Sequence, residues 1–297
     1  MLKLHLVWQA TGILAFGYLM VSESAIAQIS SDTSLVDPST IDIQGELIRI
    51  TGGTTAGSNL FHSFSEFSIP TNNTAFFDNP IAIENIISRV TGGQISSIDG
   101  LIRANGTANL FLINPSGIVF GPNARLEIGG SFFGSTASSI NFADGTQFSA
   151  IDPQPVLTIN VPIGLQYGSQ TGDVQVIGSQ LQVPDSNTLA LFGGAVSLDN
   201  AQLLAPGGRI ELGGFADGAM VGLNADGSSN VPIGIPRRDI AIANTSLLNV
   251  TASDGGSITL TGNSISLRGE SQVLAGIAAN SGAPDAVAGD IQLNAIG

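Results

Sequence analysis

From residue 28 onward the chain is written in short alternating runs. Ile41-Asp42-Ile43, Leu47-Ile48-Arg49-Ile50 and Ala124-Arg125-Leu126-Glu127-Ile128 place an apolar side chain at every second position, and so do Val196-Ser197-Leu198, Ile210-Glu211-Leu212, Ile258-Thr259-Leu260, Ile265-Ser266-Leu267 and Ile291-Gln292-Leu293. A period of two puts the apolar groups on one face of a strand. The runs are short and end at Gly, Asn, Asp or Pro, the residues that turn a chain. Gly or Asn interrupts every window that would otherwise carry a helical period, so helices are not expected.

The runs also recur in similar settings. Gly193-Gly194-Ala195-Val196-Ser197-Leu198 resembles Gly207-Gly208-Arg209-Ile210-Glu211-Leu212, and both resemble Gly255-Gly256-Ser257-Ile258-Thr259-Leu260 and Gly289-Asp290-Ile291-Gln292-Leu293. An imperfect repeat of one turn-and-strand unit marks a solenoid. A β-sandwich would need longer strands joined by hairpin turns such as Asn-Gly, and only Asn105-Gly106 offers that pair. A propeller would need blade repeats with recurring aromatics. The predicted fold is therefore all-β: a right-handed, single-stranded parallel β-helix with an N-terminal cap and short excursions outside the helix. Residues 152–162, with Pro153, Pro155 and Pro162, and residues 231–238, with Pro232, Pro236, Arg237 and Arg238, are the predicted excursions, because proline cannot donate to a ladder. No polar cap follows the last run, so the chain reads as a fragment or the start of a longer fibre.

The first 27 residues read differently. Lys3 precedes an apolar run over residues 6–21, and Ala25-Ile26-Ala27 precedes Gln28. A basic start, an apolar middle and an Ala-x-Ala end describe a secretory signal peptide cleaved after Ala27. The run is shorter than a membrane-spanning helix requires. Past that cut the chain keeps eight Arg, no Lys and no Cys, with His62 its single histidine and a net charge that stays at −14. An acidic chain repels phosphate backbones, which argues against nucleic acid as a partner. An exported protein without disulfides must be held by burial and backbone hydrogen bonds. One His and no Cys leave no metal constellation, and no cofactor motif is recognisable.

The most informative stretch is residues 109–121, Asn-Leu-Phe-Leu-Ile-Asn-Pro-Ser-Gly-Ile-Val-Phe-Gly. Residues 110–113 form a buried strand. Asn114-Pro115-Ser116-Gly117 suits a type I turn: Asn at the first position, Pro presetting φ at the second, Gly at the fourth. Ile118-Val119-Phe120 resumes a strand. Gly121-Pro122-Asn123-Ala124 follows as a second turn, with Pro at the second position and Asn at the third, as type II allows.

On these residues the chain resembles the N-terminal secretion domain of filamentous haemagglutinin and haemolysin-type exoproteins of two-partner secretion. The family hallmark is Asn-Pro-Asn-Gly-Ile, and Asn114-Pro115-Ser116-Gly117-Ile118 matches four of five positions, with Ser116 the departure. Gly129-Gly130-Ser131-Phe132-Phe133, residues 86–90, Gly92-Gly93 and Ile98-Asp99-Gly100 are similar to the family as well. A second family motif, Asn-Pro-Asn-Leu, has no clean copy, and Phe77-Asp78-Asn79-Pro80 is a relic of it. The resemblance covers residues 32–150 and implies a signal peptide over 1–27, a secretion domain over 28–152 and continuing β-helix coils over 153–297. It also implies export by the Sec machinery, and then recognition, unfolded, by the periplasmic POTRA-type modules of a dedicated outer-membrane β-barrel transporter, with Asn114, Pro115, Ser116, Gly117 and Ile118 as the recognised motif. The chain would then fold at the surface of a Gram-negative-type envelope, or be released from it, as an adhesin-like protein with a host or cell-surface receptor.

Parallel β-helices also include polysaccharide lyases and hydrolases, so a secreted polysaccharide-active enzyme is the alternative. Its candidate groups are Asp99 with Arg103, Glu127 with Arg125 and Glu211 with Arg209, each two or four residues apart. Such spacing on a strand equally makes surface ion pairs, and no three acids lie close together, so no catalytic residue is assigned. His62, in Phe61-His62-Ser63-Phe64, reads as a partly exposed structural histidine. Phe61, Phe64 and Phe67 read as the cover over the open N-terminal end of the helix.

Overall fold

The computed structural model describes residues 28–155, 158–282 and 284–297, so Ala25, Ala27 and the rest of the predicted signal peptide lie outside the described residues. Among these residues every regular element is a strand. Most strands pair in parallel with partners about one coil away: Ile86 with Leu110, Leu110 with Phe132, Leu189 with Ile210 and Ile210 with Ile258. This is the parallel β-helix that the alternation predicts.

Each complete coil has three faces. The first is built from Asn59–Ser68, Asn85–Val90, Asn109–Ile113, Phe132–Ser135, Thr188–Gly193, Arg209–Gly214, Ser257–Gly262 and Ile291–Ala295. The second runs from Ser96–Ile98 through Ile118–Phe120, Val174–Ile177, Val196–Asp199 and Ile240–Ala243 to Ile265–Leu267. The third comes in two sheets, one ending at Arg125–Glu127 and the other beginning at Gln180–Gln182. Inward side chains stack coil upon coil: Leu60, Ile86, Leu110, Phe132, Leu189, Ile210 and Ile258 form one continuous row of the main core. At its N-terminal end the core is closed by antiparallel strands, Gln28–Ser31 on Asn59–Ser68 and Ser39–Gln44 on Leu47–Gly52.

Both proline-bearing stretches leave the helix, within excursions that begin well before residues 152 and 231. The first excursion contributes Ser139–Phe142, Gln147–Ser149 and Pro162–Gln166, and the second contributes Met220–Leu223 and Ser229–Asn230. Together they make one five-stranded antiparallel sheet that roofs the outside of the first face. The roof encloses a second core in which Phe61, Ile87, Phe111, Phe133 and Ala190, stacked on the outer side of the first face, pack against Phe142, Phe148, Leu165, Tyr167 and Val221. This corrects the reading of Phe61, which lies beneath the roof with its ring 5.1 Å from Phe148. Phe64 and Phe67 do fill the first coil, against Phe77.

The recurring Gly-led units separate as well. Those opening at Gly207, Gly255 and Gly289 stack on one another in the first face, but the unit from Gly193 begins a strand of the second face. The local pattern is the same at two different corners because both corners turn through glycine.

Candidate functional site

The Asn114 turn sits where the first face hands over to the second. Leu110 and Leu112 point into the main core, whereas Phe111 and Ile113 point into the roofed core, which is why this strand is apolar at consecutive positions. The turn closes with Gly117 N–H donating to the Asn114 carbonyl at 3.0 Å. The Asn114 side chain reinforces it by accepting from Ser116 N–H at 3.0 Å. Its amide also donates to the Gln94 carbonyl at 2.8 Å and to Ser96 Oγ at 2.9 Å, on the preceding coil. Ser116 serves the turn through its backbone N–H, a role that any residue but proline can fill. Ile118 enters the main core, and Asn114 and Ile118 are both fully buried.

The turn is covered from the C-terminal side. Residues 171–173, returning from the first excursion, lie across it: Gly172 N–H donates to the Pro115 carbonyl at 2.8 Å and Ile118 N–H to the Asp173 carbonyl at 3.0 Å. A Cβ at Gly172 would stand 2.4 Å from the Ser116 carbonyl carbon, so only glycine permits this approach.

The second turn forms with Ala124 N–H on the Gly121 carbonyl at 2.9 Å. Asn123 is not among the positive-φ residues, so the turn is not type II. Asn123 instead donates its backbone N–H and its side-chain amide to Asp99 at 2.9 and 3.1 Å. Burial opposes the charge on Asp99, but bonds from Thr71 and Asn123 hold its carboxyl below the usual range. Asp99 is thus a turn lock between coils and has no ion pair with Arg103. Arg103 pairs across coils with Glu127 at 3.4 Å, and Arg125 donates to the Pro122 and Ala124 carbonyls at 3.3 and 2.6 Å. Of the three predicted pairs only Arg209 with Glu211 meets, at 3.9 Å. No group of acids and histidines suited to a metal ion occurs among the described residues.

His62 is structural, but it is not partly exposed. It lies inside the first coil with 1% exposure, stacked on Phe64, its Nδ1 2.8 Å from Ser39 Oγ. Burial pushes its pKa down to about 3, so the ring is neutral at ordinary pH. Two further features have no counterpart in the sequence reading. Asn59, Asn85 and Asn109 stack in register at one corner, the Asn85 amide donating to Asn59 Oδ1 and the Asn109 amide to Asn85 Oδ1, each at 3.0 Å. Aligning the coils would have revealed this ladder. Arg89, also buried, points under the roof and ties four segments together: it donates to Ser63 Oγ, Ser34 Oγ and the Ser149 carbonyl at 2.8 Å, and to the Gln154 carbonyl at 3.2 Å.

The comparisons with known proteins agree with this geometry. Among solved structures the chain is similar to the HMW1 secretion domain of Haemophilus influenzae, with 18% identity and a TM-score of 0.57, over 84% of this chain and 67% of that one. At that identity the likeness speaks for the fold. No curated protein matches. The TPS secretion domain family matches over residues 27–260, most of the chain and all of the coils described around Asn114. The chain therefore belongs to the TPS secretion domain family, the domains that direct export through the TpsB outer-membrane transporter of a Gram-negative two-partner system.

Proposed function

We propose that the transporter's periplasmic POTRA-type modules read Asn114, Pro115, Ser116, Gly117 and Ile118 while the chain is still unfolded, after Sec export and cleavage between Ala27 and Gln28. The exported chain then folds outside as an adhesin-like surface protein whose receptor is borne by a host or another cell. One observation carries the first step: in the folded coil Asn114 and Ile118 are buried and the Pro115 carbonyl is occupied by Gly172 N–H. A motif so enclosed is available to a partner only before residues 171–173 close over it. Folding of each coil outside then buries a further layer of the apolar stack, which opposes back-sliding without an energy source in the periplasm.

Surface display of Asn114→Ala and Pro115→Ala, expressed with the transporter, tests the motif. Both variants are expected to stay in the periplasm and be degraded there. Display of both at the level of the unchanged chain would remove the motif from this role.

A further inference from the structure

On the outer side of the first face one register row reads Phe61, Ile87, Phe111, Phe133, Ala190, Glu211, Thr259, Gln292. Its first five members are apolar and roofed. The row turns polar where the roof ends, and there the surface opens into a groove of about 640 Å³. The neighbouring row adds Thr261 and Asn294, Ser229 and Val231 form the wall on the roof side, and Arg237 lines it where the second excursion returns.

The electrostatics of this groove differ from those of the chain. In a protein of net charge −14, two of its eight arginines meet here. Arg209 donates to Asp226 at 3.2 Å and Arg237 to the Asn294 carbonyl at 2.9 Å, and the Nε of each, screened from solvent, has no partner. Glu211 is buried on the floor and accepts from Ser229 Oγ at 2.7 Å. It lies 3.9 Å from Arg209, and desolvation raises its pKa.

We propose that this groove binds a linear, carboxylate-bearing polysaccharide. Thr and amide side chains repeat along the floor at the spacing between strands, about 4.8 Å, which suits a ligand that repeats along a line. Hydroxyl and amide groups that both donate and accept fit vicinal hydroxyls, and the two guanidinium groups lining the groove supply charge for a carboxylate. The lining has no aromatic platform on which a nucleobase would stack. The inference gives the adhesin-like reading a ligand class and rests on it for purpose only. Binding is measured on the purified chain and does not depend on how the chain is exported.

Calorimetric titration of the purified exported chain with tetragalacturonate, its fully methyl-esterified form and a glutamate oligopeptide tests it. Saturable binding of tetragalacturonate is expected, at least tenfold tighter than either of the others. Arg237→Gln should weaken it tenfold or more, and so should Gln292→Glu, which adds a charge to an exposed floor position and keeps folding intact if Arg237→Gln does not. Arg268→Gln, exposed and outside the groove, should change nothing. Absence of saturable binding, equal binding of the peptide or the ester, or full affinity in both groove variants would overturn the proposal. If binding holds while display of the Asn114 variants is normal, the export motif fails and the groove stands.

Discussion

Replacing Asn114 by alanine should destabilise the folded chain by about 3 kcal/mol, because its side chain makes three hydrogen bonds in a fully buried setting and each contributes roughly 1 kcal/mol net. The loss of the Ser116 contact loosens the turn. The loss of the two amide donations leaves Ser96 Oγ, itself buried, without its donor and unties the turn from the preceding coil. Asn114→Asp separates these parts: it keeps the acceptor for Ser116 N–H but sets a carboxylate against the Gln94 carbonyl, and it should be at least as damaging as alanine. Urea unfolding followed by Tyr167 fluorescence measures both, since Tyr167 is the only tyrosine past residue 27 and is buried between the roof and the helix. The expected result is a lower midpoint at unchanged slope. A loss below about 1 kcal/mol for alanine would refute the view that this side chain couples two coils. It would leave Asn114 with only an unfolded-state role.

Three further outcomes follow from buried polar groups. His62 is neutral in the fold and protonates freely when unfolded, so its contribution is intact above pH 6.5 and is lost as pH falls from there toward about 3. As pH falls from 6.5 toward 5 the loss from this group should steepen toward about 1.4 kcal/mol per pH unit, and His62→Phe should flatten that slope in urea melts at each pH. Arg89→Leu strips donors from four segments and should cost roughly 2–4 kcal/mol, with residues 149–154 gaining hydrogen exchange before the coils do. Asn85→Ala cuts the ladder in the middle and leaves Asn59 Oδ1 and the Asn109 amide unpaired, for a loss of about 2 kcal/mol in the same melts.

Much of the fold was legible because a coil is local. Every alternating run quoted from the sequence is a strand, and both proline-bearing stretches leave the helix. What one coil does to the next was not legible. Arg103 meets Glu127, a full coil away, so that Asp99 and Arg125 are each left without the partner read from the sequence, because stacked neighbours on adjacent strands are closer than residues along one strand. The roof is equally non-local, built from two excursions far apart in sequence. Its trace in the sequence is the unbroken apolar run of residues 110–113, which alternation alone does not explain. The turn at Asn114 was readable to its hydrogen bond, since Pro115 and Gly117 dictate it, yet its enclosure by Gly172 depends on the excursion's return. His62 was misjudged for a related reason: its partner Ser39 comes from the antiparallel cap.

Protease shaving of intact cells of a Gram-negative host producing this chain, with the partner transporter present or deleted, tests the central claim most directly. The account predicts that the chain is cut from outside when the transporter is present. Without it the chain should be shielded from added protease and degraded in the periplasm. Equal cleavage in both strains would contradict export by the two-partner route.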